Sequence, residues 1–255
     1  MPDRLQNPYE SGKLLAEYLL FHYGSEEAIF GQLPAPRDAC DFPVRCVYEL
    51  VDFAALSPRA RALDVGCAVG RSSFELGRFC AEVVGIDLSE SFIQAARILQ
   101  DKGALSFEVP AEGDICDVLQ VRVPEGLDRE RVRFQLGDAT KLPDGLGTFD
   151  LVLAANLICR LPEPRLFLRR LSQLVNPGGQ LLLTTPFTWL EEFTSRAEWL
   201  GGRREEGIRS REALKGILDP NFELQLMRDL PFLIREHERK FQYGIALGGR
   251  WVRRD

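Results

Sequence analysis

Residues 61–70 read Arg-Ala-Leu-Asp-Val-Gly-Cys-Ala-Val-Gly, an apolar strand running into a glycine-rich turn. Asp64, Gly66 and Gly70 have the spacing D-x-G-x-x-x-G, and the residues that follow have helical character. A second apolar strand, Glu82–Ile86, ends in Asp87. A strand, a tight glycine turn, a helix and a second acid roughly 20 residues on form the layout of a nucleotide-binding βαβ unit.

The details of the turn select its ligand. A dinucleotide site needs G-x-G-x-x-G, in which the middle glycine lets the backbone approach a pyrophosphate. Here that position is Ala68. The turn also opens on a carboxylate, Asp64, which repels a pyrophosphate but suits a cofactor ending in a cationic amine and sulfonium. S-adenosylmethionine has such an end, and Asp87 with its acceptor oxygens is placed to hold ribose hydroxyls. The competing reading is a crossover turn without a ligand. Asp64, Asp87 and the later Asp138 together argue against it.

Composition narrows the class. The 255 residues, 45% hydrophobic, suffice for one large α/β domain. We expect a single domain over 1–255, with a helical cap at 1–58 and a Rossmann-like core at 59–255. A net charge of −6 argues against nucleic-acid binding. The six cysteines form no C-x-x-C pair and there are two histidines, so no metal site is expected. The first residues, Met-Pro-Asp-Arg-Leu-Gln-Asn, lack a signal-peptide apolar core, and no apolar run reaches membrane-spanning length. These features lead us to expect a cytoplasmic protein with reduced thiols and no membrane partner. Oligomeric state stays open.

Along the chain, helices are predicted at Glu10–Tyr23, around Val44–Leu56, at Arg71–Phe79, after an N-cap at Ser89, at Pro164–Val175 and at Ser210–Leu218. Strands are predicted at Ala62–Val65, Glu82–Ile86, Val132–Leu136, Phe149–Ala155 and Gln180–Thr184, with a closing antiparallel pair at Phe222–Met227 and Phe241–Leu247. Phe107–Val109 and Val118–Val123 alternate like strands around Gly113-Asp114, an inserted hairpin within about 106–130. It either decorates the surface or helps cover the substrate. The fold expected is α/β: a mostly parallel seven-stranded sheet with an antiparallel last strand, an N-terminal helical extension and the inserted hairpin.

In such sheets the ligand lies beyond the carboxyl ends of the strands. Asp64–Gly70, Asp87, Gly137-Asp138-Ala139 and Asn156 all follow strand ends. Over roughly residues 60–185 this assembly resembles the class I S-adenosylmethionine-dependent methyltransferases. The resemblance implies that Asp64 reaches the methionyl amine and that Asp87 binds the ribose. It implies that Asp138 accepts from the adenine amino group, that the Ala139 backbone meets the ring, and that Asn156 lies beside the transferable methyl. Tyr9, Gly66, Cys67, Ala68, Gly70 and Leu88 complete the expected cofactor set, although small-residue packing alone accounts for Cys67. The departure from the family is Ala68, where many members have glycine.

A closer resemblance extends over nearly the whole chain. It rests on Tyr9-Glu10-Ser11, Lys13-Leu14-Leu15, Phe21-His22-Tyr23-Gly24 and Phe42-Pro43-Val44-Arg45-Cys46. Ala154-Ala155-Asn156-Leu157-Ile158, Thr188-Trp189-Leu190-Glu191-Glu192-Phe193-Thr194, Asp229-Leu230-Pro231-Phe232 and Arg239-Lys240-Phe241-Gln242 extend it. These pieces are similar to the 4-mercaptohistidine N-methyltransferases, which resemble the C-terminal domain of the ovothiol biosynthesis enzyme. The resemblance implies methylation of the imidazole nitrogen of 5-thiohistidine, a small amino acid. That substrate would be supplied by a separate iron-dependent sulfoxide synthase, for which 255 residues leave no room.

Candidate roles follow from position. Asn156 either holds the acceptor ring or serves only the turn after its strand. Glu191 and Glu192, expected at a helix start near the active edge, are candidates to bind the substrate ammonium or orient the ring. Arg45 and Arg235 are candidate carboxylate clamps. Tyr9 is a candidate to close over cofactor and substrate. His22, on an apolar helical face, is expected to be a core residue. Two other readings remain: methylation of another amine, thiol or carboxyl metabolite, and non-catalytic cofactor binding.

Overall fold

The structure, a computed structural model, describes residues 7–255; the segment 1–6, read above as lacking a leader core, lies outside the described residues. Nine strands are described: β1 (Arg61–Val65), β2 (Glu82–Asp87), β3 (Ala104–Glu112), β4 (Ile115–Arg122), β5 (Val132–Leu136), β6 (Phe149–Ala155), β7 (Val175–Thr185), β8 (Phe222–His237) and β9 (Lys240–Arg253). The helices are α1 (Gly12–Tyr23), α2 (Glu26–Phe30), α3 (Phe42–Tyr48), α4 (Arg71–Leu76), α5 (Glu90–Lys102), α6 (Pro164–Leu174) and α7 (Ser210–Leu218).

Seven strands form one sheet in the order β5-β2-β1-β6-β7-β9-β8. The first five are parallel and β9 runs antiparallel to β7 and β8. This is the Rossmann-like methyltransferase arrangement expected from the sequence. Strands β1 and β6 are buried on both faces, which explains their nearly unbroken apolar sequences. The chain passes from β1 outward to β2 and β5, then returns to β6 on the other side. The switch point therefore opens between the carboxyl ends of β1 and β6, directly under Gly66 and Asn156.

Local signals set several boundaries. Ser89 Oγ accepts from the Phe92 amide at 3.2 Å and starts α5, and left-handed Gly103 ends it. The helix predicted over Val44–Leu56 is shorter, Phe42–Tyr48, because a tertiary partner takes the backbone beyond it. The buried Gln180 carboxamide accepts from the Asp52 amide and donates to the Asp52 carbonyl, both at 2.9 Å. That peptide needs no helical partner. Likewise α4 stops at Leu76 rather than Phe79.

The closing strands are far longer than predicted. Pro231 lies inside β8, where a proline argues against a central strand; the edge position of β8 removes that objection. The register Thr185↔Leu247 marks where β7 ends, so residues 231–246 overhang the ligand edge of the sheet. The inserted hairpin, β3–β4, is a separate two-stranded sheet. Both hairpins pack on the N-terminal helices through a cluster containing Leu20, Phe30, Leu233, Phe107, Leu119 and Phe241.

Candidate active site

The turn after β1 is tied to β2, since the Gly66 and Cys67 amides both donate to the Ile86 carbonyl, at 2.7 and 3.1 Å. Gly66 has φ +75° and a Cβ there would come within 2.9 Å of Leu157. Gly70 has φ +87° and a Cβ would meet the Phe134 ring at 2.5 Å. Ala68 also takes a left-handed conformation, φ 46°, at a cost of about 1–2 kcal/mol. The carboxylate of Asp87 holds it there: Oδ2 accepts from the Ala68 amide at 2.9 Å and Oδ1 from the Ser89 amide at 2.9 Å. Each oxygen keeps a lone pair for a further donor such as a hydroxyl.

Asp64 is buried, 1% exposed, and its Oδ2 accepts from Ser73 Oγ at 2.6 Å. Burial pushes its pKa up to about 7; the Ser73 hydrogen bond opposes the shift and Asp87 adds to it. No cation figures among the groups acting on it. Buried carboxylates are normally paired, so the position suits a ligand that brings its own positive charge. An amine and sulfonium do so, and the residues present fit S-adenosylmethionine. Nearby Cys67 is 3% exposed and burial drives its thiol well upward, so it serves as packing beneath the turn.

The residues expected at the adenine end lie at the neighbouring strand end. The Gly137 amide donates to the Asp87 carbonyl at 2.9 Å. Asp138 Oδ1 accepts from the amide and hydroxyl of Thr140, at 2.8 and 2.7 Å, which fixes the carboxylate ahead of buried Ala139. Leu88 and Leu136 are exposed at neighbouring strand ends, 59% and 54%, leaving apolar surface where a flat base would lie.

Across the switch point, Asn156 is left-handed, φ 51°. Its amide donates to the Thr184 carbonyl at 2.9 Å, and Thr184 Oγ1 donates to Asn156 Oδ1 at 2.9 Å. Thr184 thus fixes the carboxamide, and its NH2 group remains as a donor. On the N-terminal segment Tyr9 packs against Tyr18 (5.8 Å between ring centres), Phe92 (5.8 Å) and Phe193 (6.0 Å). The Tyr9 carbonyl accepts from the hydroxyls of Ser89 and Ser91, at 3.1 and 3.0 Å. The Glu10 carboxylate accepts from the amides of Glu90 and Ser91, at 2.8 and 3.2 Å. Residues 9–10 therefore clip the N-terminal segment to the positive end of α5, next to Asp87.

Other candidates lie elsewhere. Arg45 ion-pairs with Glu49 at 2.6 Å and donates to the carbonyls of Asp38 and Pro231, bracing α3 against β8. Arg235 donates to the Ala28 carbonyl at 2.6 Å and braces β8 against α2. Glu191 and Glu192 are exposed on a turn, not a helix start, and it is their neighbour Phe193 that packs on Tyr9. His22 is buried and burial, with Arg71 nearby, pushes its pKa down to about 3, so it is neutral.

Sequence reasoning missed Arg160. Its guanidinium lies 4.9 Å from the centre of the Phe193 ring and donates to the Thr188 carbonyl at 3.1 Å. Burial raises the Tyr9 phenol and the adjacent Arg160 charge opposes that rise, which places the two side chains together. The signal available was an arginine four residues after Asn156, in the loop leaving a central strand. Among the described residues no cluster of His, Cys, Asp or Glu is arranged to hold a metal, and no helix is long and apolar enough to cross a membrane.

The family described as "Methyltransferase domain" matches residues 63–183, from β1 to β7. Ubiquinone biosynthesis O-methyltransferase of Azorhizobium caulinodans is 33% identical over 125 residues, 49% of this chain and 40% of that protein. A probable tocopherol O-methyltransferase of Oryza sativa subsp. japonica is 30% identical over 170 residues, 64% of this chain and 40% of that protein. The chain thus spans about two fifths of the length of these relatives. Magnesium protoporphyrin IX methyltransferase from Synechocystis PCC 6803, solved with bound SAH, superposes with a TM-score of 0.56 at 17% identity, covering 97% of this chain and 96% of the other. The [4+2]-cyclase SpnF gives 0.58 at 18% identity, covering 96% and 93%. At these identities the likeness is one of fold.

Proposed function

We propose that this chain is a class I S-adenosylmethionine-dependent methyltransferase and that it transfers the methyl group to the imidazole nitrogen of 5-thiohistidine. The observation that carries the reading is on the acceptor side: an Asn156 carboxamide fixed by Thr184 at the carboxyl end of β6, and an aromatic group of Tyr9, Tyr18 and Phe193 clipped beside Asp87. Aromatic faces of this kind suit a flat heteroaromatic acceptor ring. The motifs outside the cofactor turn, which set this chain apart from methyltransferases in general, support the same acceptor.

Bound S-adenosylmethionine supplies an electrophilic methyl on a good leaving group. The protein's task is therefore alignment, and bringing reacting atoms to about 3–3.5 Å in line accounts for roughly 7–11 kcal/mol of barrier. Asp64 and Asp87 fix the two ends of the cofactor's ribose–methionine portion. Selectivity is harder, because the acceptor's thiolate is a softer nucleophile than its ring nitrogen. Asn156 answers this with its NH2, oriented by the Thr184 hydroxyl on the carboxamide oxygen. The NH2 donates to the sulfur, turning it away and leaving the unprotonated nitrogen facing the methyl group. The aromatic group excludes water and holds the ring plane.

Mass spectrometry of the purified protein incubated with S-adenosylmethionine and either 5-thiohistidine or histidine tests the proposal. Singly methylated thiohistidine with histidine untouched is expected. S-methyl rather than N-methyl product, or methylation of only a phenolic or amino-alcohol probe, overturns it.

A further inference from the structure

An amino acid held by its ring alone would be free to swing, so its carboxylate needs a cation, and both Arg45 and Arg235 donate to backbone carbonyls that brace β8 against the N-terminal helices. Building on the thiohistidine reading, we propose that Arg160 is the carboxylate anchor of the acceptor and sets the enzyme's specificity for amino acids. Four observations converge on it. Arg160 lies in the loop that leaves β6 just beyond Asn156, and the Asn156 carbonyl faces the Cys159 thiol at 3.8 Å within that loop. Its half-buried guanidinium is stacked over Phe193, the residue that also touches Tyr9. It bridges the loops after β6 and β7 through the Thr188 carbonyl. Finally, Nη1 donates to the Cys159 and Thr188 carbonyls and the Cys159 sulfur, and the neutral Tyr9 phenol is the further side-chain partner of the guanidinium.

That last point separates Arg160 from most other partly buried arginines. Arg45, Arg61, Arg71 and Arg78 each meet a glutamate within about 3 Å, whereas none of the described ion pairs involves Arg160. A guanidinium has five N–H donors in a planar fork and remains charged. With Nη1 committed to the loops, Nε and Nη2 form a pair of parallel donors beside the neutral Tyr9 phenol, the geometry that grips a carboxylate in two places. Stacking on Phe193 fixes the plane of the fork. Asn156 then holds the ring end of the acceptor and Arg160 the backbone end. Holding both ends determines which ring atom meets the methyl group.

The test uses Arg160→Gln and Arg160→Lys in the full chain. Acceptors are 5-thiohistidine and its decarboxylated amine, and cofactor affinity is read by calorimetry with S-adenosylhomocysteine. For Arg160→Gln we expect KM for thiohistidine to rise roughly 10- to 100-fold, the worth of a charged hydrogen-bond pair. KM for the decarboxylated amine and the cofactor Kd should stay within about twofold, and Arg160→Lys should recover part of the loss. Equal losses on both acceptors would make Arg160 a purely structural brace. A matching loss of S-adenosylhomocysteine affinity would assign the anchored carboxylate to the cofactor instead. Either result overturns the proposal. If the wild type methylates neither acceptor, the thiohistidine reading fails by itself. Arg160 is then judged by titrating histidine and histamine into the S-adenosylhomocysteine complex. Carboxylate-dependent binding lost in Arg160→Gln supports the anchor, and its absence in the wild type overturns it.

Discussion

Asp64 concentrates the physics of the site in one residue. Its folded pKa is about 7, against about 3.9 for an unperturbed aspartate. A raised folded pKa means that between roughly pH 4 and 7 the native state holds a proton that the unfolded chain has lost. The associated stability is full below pH 4 and is lost as pH rises through 7. Above pH 7 the cofactor-free protein carries an unpaired buried charge. Asp64→Asn should therefore leave Tm nearly unchanged at pH 4 and raise it at pH 8, by roughly 2–4 °C for each kcal/mol recovered. The same variant should lose most of its S-adenosylmethionine affinity at pH 8, and the gap should narrow as pH falls below 7 because wild-type affinity itself weakens there. Thermal melts and calorimetry across pH 4–8 read both effects. A lower Tm for the variant at pH 8 would refute this account. The residue itself was legible as part of the cofactor turn, because a carboxylate at that place in a glycine turn has chemical meaning. Its protonation was not, since that depends on burial created by α4 and β2. Arg45 and Arg235 failed for the matching reason: an arginine's partner lies on whichever distant element the fold brings to it.

At the level of elements, parallel strands, their turns and the start of α5 were readable because each carries its own signal, such as the Ser89 N-cap. Elements whose limits depend on tertiary partners were not. Gln180 capturing the Asp52 peptide shortened the second predicted helix, and the edge position of β8 admitted Pro231. The clip between Glu10 and α5 belongs to this level as well. Its two amide contacts at a helix N-terminus contribute about 0.5–1 kcal/mol, too little to affect folding but enough to set how firmly residues 7–11 lie across the site. Glu10→Ala should leave Tm within about 2 °C and increase the cofactor dissociation rate several-fold, read by stopped-flow displacement. An unchanged rate with faster amide exchange at residues 9–11 would show that the clip does not gate the site.

At the scale of the whole molecule, the inserted hairpin, the overhanging end of the C-terminal hairpin at 231–246 and the N-terminal helices form a single cap beyond the edge of the seven-stranded sheet. The inserted hairpin contributes Phe107 and Leu119, the C-terminal hairpin Leu233 and Phe241, and the N-terminal segment Leu20 and Phe30. Phe30 is 3% exposed and stands 5.6 Å from Phe241, ring centre to ring centre. None of the three pieces can bury its apolar face alone, and an isolated two-stranded hairpin is at best marginally stable in water. Their order is therefore mutual, and because α1 also carries Tyr18 against the site, it is coupled to the aromatic group. Truncating a buried phenylalanine costs about 3–5 kcal/mol. In Phe30→Ala we expect that cost to fall on the cap, with amide exchange accelerating together in α1, β3–β4 and residues 231–246 while β1 and β6 remain protected. Acceptor KM should rise and cofactor Kd should change less, because Asp64, Asp87 and Asp138 stand on the sheet. Exchange that accelerates uniformly through β1 and β6 would mean that cap and sheet open as one unit, and the inserted hairpin would then serve global stability alone.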